Sequence, residues 1–294
     1  MRLLYLLLLC TTAFAATKPN VIVIISDDHG WADASFQKLP ASRDVRTPHL
    51  DRLFASGLRF TQGYVASSTC GPSRSSLMTG RTSSRFGLED NQPGTPLEGP
   101  PASEILIPRI LKPVGYHTGA IGKWHLGGVN RPLRSGKGSV FDGGVRVLFG
   151  ASWPGVLPQG RDYDGVLSSV DIFTTTAALA GVPVPRDRVI DGVDLMPYLT
   201  GKKTEDPHEE FFFRRLDRKS WALRAGEFKW VVAPKEGIGA TGALFRIGGD
   251  IGEERDVSAE FPEKKKQLIA TYERLTAGLP RPVNHSTKPD PDDP

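Results

Sequence analysis

Residues 20–30 read NVIVIISDDHG. Val21 to Ile25 are all β-branched, with no polar residue between them. An apolar run this short, without alternation, reads as a strand buried on both faces, as in a parallel sheet. It stops at Ser26-Asp27-Asp28-His29-Gly30, a polar loop. In open α/β sheets, sites form in the loops at the carboxyl ends of strands. Asp27 and Asp28 are adjacent like charges there, and they repel unless a cation joins them. Hard cations such as Ca²⁺ or Mg²⁺ take oxygen ligands of this kind. Read alone, the pair is better described as a solvated turn.

Working outward, Thr47-Pro48-His49 opens a helix in which Leu50, Leu53, Phe54 and Leu58 recur at helical spacing, with Gly57 at its end. Residues 69–81, TCGPSRSSLMTGR, place Pro72 in a first turn, suit a helix over 75–79 and put Gly80 past its end. Residues 90–101 are a Pro/Gly-rich loop. Ile105, Leu106, Ile110 and Leu111 fit a helix, and 117–121 (HTGAI) a strand. Residues 130–144 form a Gly- and Arg-rich loop, 145–152 a strand and 166–180 a helix closed by Gly181. Strands alternating with helices predict a parallel α/β sheet. The remainder differs: 221–232 reads as a hairpin around Ala225-Gly226, and 262–278 as an amphipathic helix with Leu268, Ile269, Tyr272 and Leu275 on one face. The expected division is a leader over 1–15, an α/β unit over 16–204 and a smaller α+β unit over 205–294.

The 294 residues suffice for a large core, and the net charge of +4 is close to neutral for that length. No dense basic patch points to nucleic acid; Lys264 to Lys266 read as a solvated helix face. Residues 1–15, MRLLYLLLLCTTAFA, combine a positive start, a short apolar stretch and a small-x-small site, the pattern of an export signal. The stretch is too short to span a bilayer. Export to the periplasm or the exterior follows, and Cys10 would be lost with the leader; the alternative, a lipoprotein cysteine at Cys10, is disfavoured because the LLLL before it lacks the small residues usual there. Cys70 would then be a lone thiol in an oxidising compartment.

Cys70 stands just before a helix start with Arg74 within reach. A helix N-terminus attracts anions and stabilises a thiolate. A phosphatase of the C-x5-R type would need Arg at 76, where the chain has Ser76. An inert buried cysteine is the plainer reading, but it leaves Pro72 and Arg74 unexplained. Lys123 and His125 are spaced i, i+2 at another strand end, so both side chains share one side of an extended segment. A lysine can pair with an anion and a histidine can transfer a proton. Lys137 lies between Gly136 and Gly138, which allow a ligand to approach the backbone closely. Each of these, alone, also fits an ordinary charged loop.

Taken together, the segments resemble the sulfatase family of the alkaline-phosphatase-like superfamily. The resemblance rests on KPNVIVIISDDHGW, TPHLDRLFASGLRFTQGYVASSTCGPSRSSLMTGR, GYHTGAIGKWHLG, NRPLRSGKGSVFDGGVRV and DGVDLMPYL, with C-x-P-S-R followed by x-x-L-x-T-G-R the most specific part. It implies an αβα sandwich with a mostly parallel sheet and a small C-terminal α+β subdomain. It also implies that Cys70 is oxidised by a formylglycine-generating enzyme during export. The hydrated aldehyde then attacks sulfur with one hydroxyl and expels sulfate by means of the other, which is covalent catalysis with Lewis-acid help. By the same resemblance Asp27, Asp28 and residue 70 hold a divalent cation, Ca²⁺ or Mg²⁺. Arg74 steadies the formylglycine, Lys123 and Lys137 hold the sulfate, and His125 assists proton transfer. The substrate is a sulfate ester, and a sulfated carbohydrate by analogy.

The resemblance breaks between Leu126 and Asn130. There the family carries a long segment, with a histidine that protonates the leaving group and an Asp-Asn that completes the metal site. Here His125-Leu126-Gly127-Gly128 runs directly into Val129-Asn130-Arg131-Pro132. The expectation is an internal deletion near 126–130 that impairs hydrolysis. A non-catalytic sulfatase-like binding protein or truncated product is the alternative. A related phosphoesterase is disfavoured by the retained cysteine, since phosphatases of that superfamily use Ser or Thr.

Overall fold

The computed structural model describes residues 18–91, 99–119 and 130–281. The elements run α1 (Pro48–Ala55), β1 (Leu58–Phe60), β2 (Gly63–Tyr64), α2 (Cys70–Thr79), α3 (Ile107–Leu111), α4 (Asp142–Val145), β3 (Phe149–Ala151), β4 (Arg161–Tyr163), β5 (Leu167–Ser168), α5 (Asp171–Leu179) and α6 (Met196–Leu199). Then come β6 (Glu210–Arg215), β7 (Ser220–Ala225), β8 (Phe228–Ala233), β9 (Ile238–Arg246) and α7 (Pro262–Thr276).

The strands form open sheets in a mixed α/β arrangement. β1 lies between β3, antiparallel, and β4, parallel; β2 pairs with β5 in parallel. Helix α2 ends where Gly80 takes a left-handed φ of 67°, and the Gly80 N–H closes the last turn on the Ser76 carbonyl at 2.9 Å. A Cβ at Gly80 would stand 2.7 Å from the ring of Phe173 on α5. This close approach fixes α2 against α5.

β6 to β9 make a four-stranded antiparallel meander in sequence order. Successive side chains point to opposite faces of a strand, and here both faces are covered. Phe211, Phe213, Ala222, Val231, Ala243 and Phe245 pack toward Tyr64, Val140, Phe141, Val166 and Val170. Phe212, Leu223, Trp230, Val232 and Leu244 pack against Leu268 and Tyr272 of α7. The hairpin expected around Gly226 is present, with φ 59° at that glycine. The outer strands β6 and β9 were not foreseen; their apolar runs, FFF and ALF, lack the alternation that marks a one-sided strand.

Two expected strands are not formed among the described residues. Residues 20–25 carry no strand assignment, and Ile22 and Ile24 are 82% and 74% exposed. Residues 117–119 carry none either, and 120–121 lie outside the described residues. The physical reason is pairing. A run dense in β-branched residues becomes a strand only when neighbours take its backbone N–H and C=O groups and cover its faces. A cavity of about 1970 Å³ lies beside this run, walled on its other sides by Phe54, Phe60, Phe149, Leu195 and Met196 among others. The strand expected over 145–152 is shortened to β3, and α4 occupies the end of the loop expected over 130–144.

Candidate active site

Helix α2 begins at Cys70 itself, five residues before the expected start. That start places the thiol on the first turn, facing the loop that follows residues 20–25. The Cys70 Sγ donates to Asp28 Oδ1 at 3.8 Å. Asp28 adopts a left-handed φ of 47°, a strained conformation for a non-glycine residue that Asp tolerates better than most. Its other oxygen accepts from Lys137 Nζ at 2.7 Å. Asp27 Oδ1 accepts from Arg74 Nη2 at 2.8 Å, one helical turn along from Cys70. Five of the seven residues singled out in the sequence therefore meet at one point. Lys123 and His125 lie outside the described residues.

The loop carrying Lys137 is held to the cysteine segment by the Gly138 N–H, which donates to the Ser68 carbonyl at 2.9 Å. It also folds tightly on itself: a Cβ at Gly143 would meet the Arg134 carbonyl oxygen at 2.3 Å, and one at Gly144 the Ser139 oxygen at 2.1 Å. Only glycine fits at either position. Asn91, unremarked in the sequence, caps the same helix start: its Oδ1 accepts from the Gly71 N–H at 2.6 Å. No local pattern announces that role, because it is made by a contact across 20 positions.

The electrostatics correct one expectation. A helix start beside cations favours a thiolate, yet burial pushes the Cys70 thiol up, with Asp28 and Asp27 adding to burial and Lys137 opposing it. As a thiol, Cys70 is a poor nucleophile here. For Lys137, burial works against the charge, but the hydrogen bond to Asp28 and the proximity of Cys70 outweigh it and raise its pKa. Lys137 is therefore a cation at neutral pH.

Donor atoms of Asp27, Asp28 and Cys70 lie within 4.8 Å of one another. Asp27 Oδ2 is buried and has no hydrogen-bond partner. A buried carboxylate oxygen left without a donor is costly, and a cation would satisfy it. The two carboxylates beside Cys70 offer oxygen ligands of the kind a hard divalent cation takes.

Residues 19–132 match the family model described as Sulfatase. Among curated relatives, the chain is 44% identical over 110 residues to arylsulfatase G of Canis lupus familiaris, covering 37% of this chain and 20% of that protein. It is 23% identical over 382 residues to N-acetylgalactosamine-6-sulfatase of the same species, covering 74% of this chain and 72% of that protein. An alignment longer than the chain itself means that this relative carries residues without counterpart here. The chain spans about a fifth of the length of the arylsulfatase relatives it matches. Among solved structures, the PsFucS1 sulfatase from Pseudoalteromonas sp. superposes with a TM-score of 0.75 at 17% identity, covering 92% of each chain. That likeness gives the fold, which is the alkaline-phosphatase-like one. The motif segment over 19–132 is thus similar to sulfatases, on a fold that solved sulfatases share.

Proposed function

We propose that the chain descends from sulfuric ester hydrolases and retains the nucleophile side of their site, with turnover impaired by the loss of the leaving-group side. The observation that carries this reading is the convergence of Asp27, Asp28, Arg74 and Lys137 on Cys70. An unmodified thiol whose pKa is raised suits poorly the attack on a sulfate ester. Conversion of Cys70 to formylglycine replaces it with a hydrated aldehyde, which supplies an oxygen nucleophile. A divalent cation, Ca²⁺ or Mg²⁺, held by Asp27, Asp28 and residue 70 would supply Lewis-acid stabilisation of the sulfate.

The chain's own residues have the following parts. Lys137 and Lys123 hold the sulfate oxygens, where charge spreads in the transition state. Arg74 steadies residue 70 and keeps Asp27 in place. His125 moves a proton at residue 70. Nothing in the sequence supplies a group for the leaving oxygen, because the segment that carries it in the family is missing between Leu126 and Asn130. A sulfated carbohydrate is the proposed substrate class, supported by the name of the N-acetylgalactosamine-6-sulfatase relative. We place the catalytic unit at 16–204 and a C-terminal subdomain at 205–294, with a leader over 1–15 and export from the cell. Among the described residues no helix is long and apolar enough to cross a membrane.

One observation favours the second reading, a non-catalytic sulfatase-like protein. Among the described residues, 20–25 pair with no strand and lie beside a large cavity, as expected if the missing segment also took sheet neighbours with it. Both readings share a first experiment. The chain is produced with a formylglycine-generating enzyme, and the peptide carrying Cys70 is weighed. The expected result is partial or full conversion, because TCGPSRSSLMTGR is intact. An unmodified thiol throughout would count against the proposal.

A further inference from the structure

The loop bearing Lys137 is strapped on both sides to the C-terminal sheet and the segment after it. Arg134 Nη1 donates to the Glu253 carbonyl at 2.8 Å. Ser135 Oγ and Ser139 Oγ donate to the Glu236 carboxylate at 2.7 and 2.9 Å. At the far end, the Asp142 N–H donates to Glu253 Oε2 at 2.6 Å, and Lys229 Nζ on β8 donates to Asp142 Oδ1 at 2.7 Å. Lys137 lies between these straps, so its position depends on them.

The last strap holds an unusual charge balance. Lys229, Asp142 and Glu253 are all fully buried. One ammonium stands between two carboxylates, at 2.7 Å from Asp142 and 2.9 Å from Glu253. The nearby cations favour Asp142: Arg146 reaches its Oδ2 at 3.5 Å, and Tyr64 donates to the same oxygen at 3.0 Å. Arg224, over the Tyr64 ring, adds to that side. Glu253 gains less. Its Oε1 faces the shared Lys229 ammonium at 2.9 Å, and Arg134 reaches its backbone carbonyl rather than its carboxylate. Its own φ is left-handed at 51°, and its N–H is turned back to the Asp250 carbonyl at 3.1 Å. A buried carboxylate that shares its one counter-ion with a second carboxylate disfavours its charge.

We propose that Glu253 is a positioning residue for the Lys137 loop, and that its ionisation loosens the loop's anchor at Asp142. In the protonated state the site holds one ammonium against one carboxylate, and the strap is neutral. In the ionised state Glu253 repels Asp142 across Lys229, and the Asp142 N–H contact sits inside a buried negative excess. The consequence for sulfate binding rests on the reading of Lys137 given above; the coupling of Glu253 to the loop does not. Burial, with Asp142 adding to it and Lys229 opposing, pushes the Glu253 carboxyl up to about 7. A carboxyl raised in the folded state stabilises the fold fully below its ordinary value near 4.5 and loses that contribution as pH rises through about 7.

The test is amide hydrogen exchange over residues 134–145 in the full chain, at pH 5.5 and 7.5, corrected for intrinsic rates. In the wild type, loop protection should fall about tenfold at the higher pH, the scale of one unit of pKa displacement. In Glu253→Gln, which fixes a neutral side chain, protection should stay high at both. Equal pH dependence in the two proteins, or none in the wild type, would overturn the proposal. Should the variant fail to fold, the infrared carbonyl band of a protonated buried carboxyl decides the matter in the wild type alone. Its loss between pH 6 and 8 supports the proposal, and its absence at pH 6 overturns it. Neither readout uses turnover, so an inactive enzyme and an uncoupled loop give separate results.

Discussion

Asp28 occupies the point where the site's charges balance. It faces a thiol on one oxygen and an ammonium on the other, while its neighbour Asp27 keeps one oxygen bare. Two carboxylates with two cations already at hand attract a further cation only weakly. We therefore expect Ca²⁺ to bind with a Kd of about 10⁻⁴ to 10⁻³ M, the weak end of oxygen-ligand sites. Calorimetric titration checks this; Asp27→Asn should remove the signal, and binding as tight in the variant as in the wild type would contradict the assignment. These site residues were legible because each closes an apolar run or sits among glycines, so the sequence itself shows a backbone that must stop or approach closely. Their meeting across 109 positions was legible only through the family resemblance. Asn91 and Glu253 were not legible at all, because their roles come from contacts that no local pattern encodes.

Among the elements, α2 carries the site and α5 holds α2. Gly80 is where both constraints meet, with φ 67° and Phe173 directly over it. Gly80→Ala should lower stability by about 2 kcal/mol in a denaturant melt, more than a compatible Gly→Ala site would show. No loss would mean that the helix end is not held as described. The meander offers a second check. Leu223 is fully buried between β7 and α7, and Leu223→Ala should cost about 3 kcal/mol by the same measurement. Helices α1, α2, α5 and α7 and the hairpin were readable from spacing, proline and glycine. The strands of the sulfatase-like part were less so. A strand is defined by its neighbour, and residues 20–25 have the composition of a central strand but pair with none among the described residues.

At the scale of the whole molecule, that run leaves apolar side chains exposed. Ile22, Val23, Ile24 and Ile25 stand 82, 42, 74 and 47% exposed. Burying them would gain on the order of 5 kcal/mol. An exposed, proline-free, uncharged β-branched run is a template for self-association. Light scattering should show concentration-dependent growth of the wild type that Ile24→Lys reduces; equal behaviour of the two proteins would clear the run of that role. The same gap bounds the chemistry. Cys70, Asp27, Asp28 and Lys137 converge; on the proposed reading they are nucleophile, cation ligands and sulfate-binding lysine, and the leaving-group side has no counterpart between Leu126 and Asn130. Nucleophile chemistry without leaving-group protonation should give little catalysis. The most direct measurement is hydrolysis of an aryl sulfate by formylglycine-converted protein with Ca²⁺ present, against Cys70→Ala. The account predicts a rate weak or indistinguishable from that variant's. Robust turnover that disappears in Cys70→Ala would contradict it.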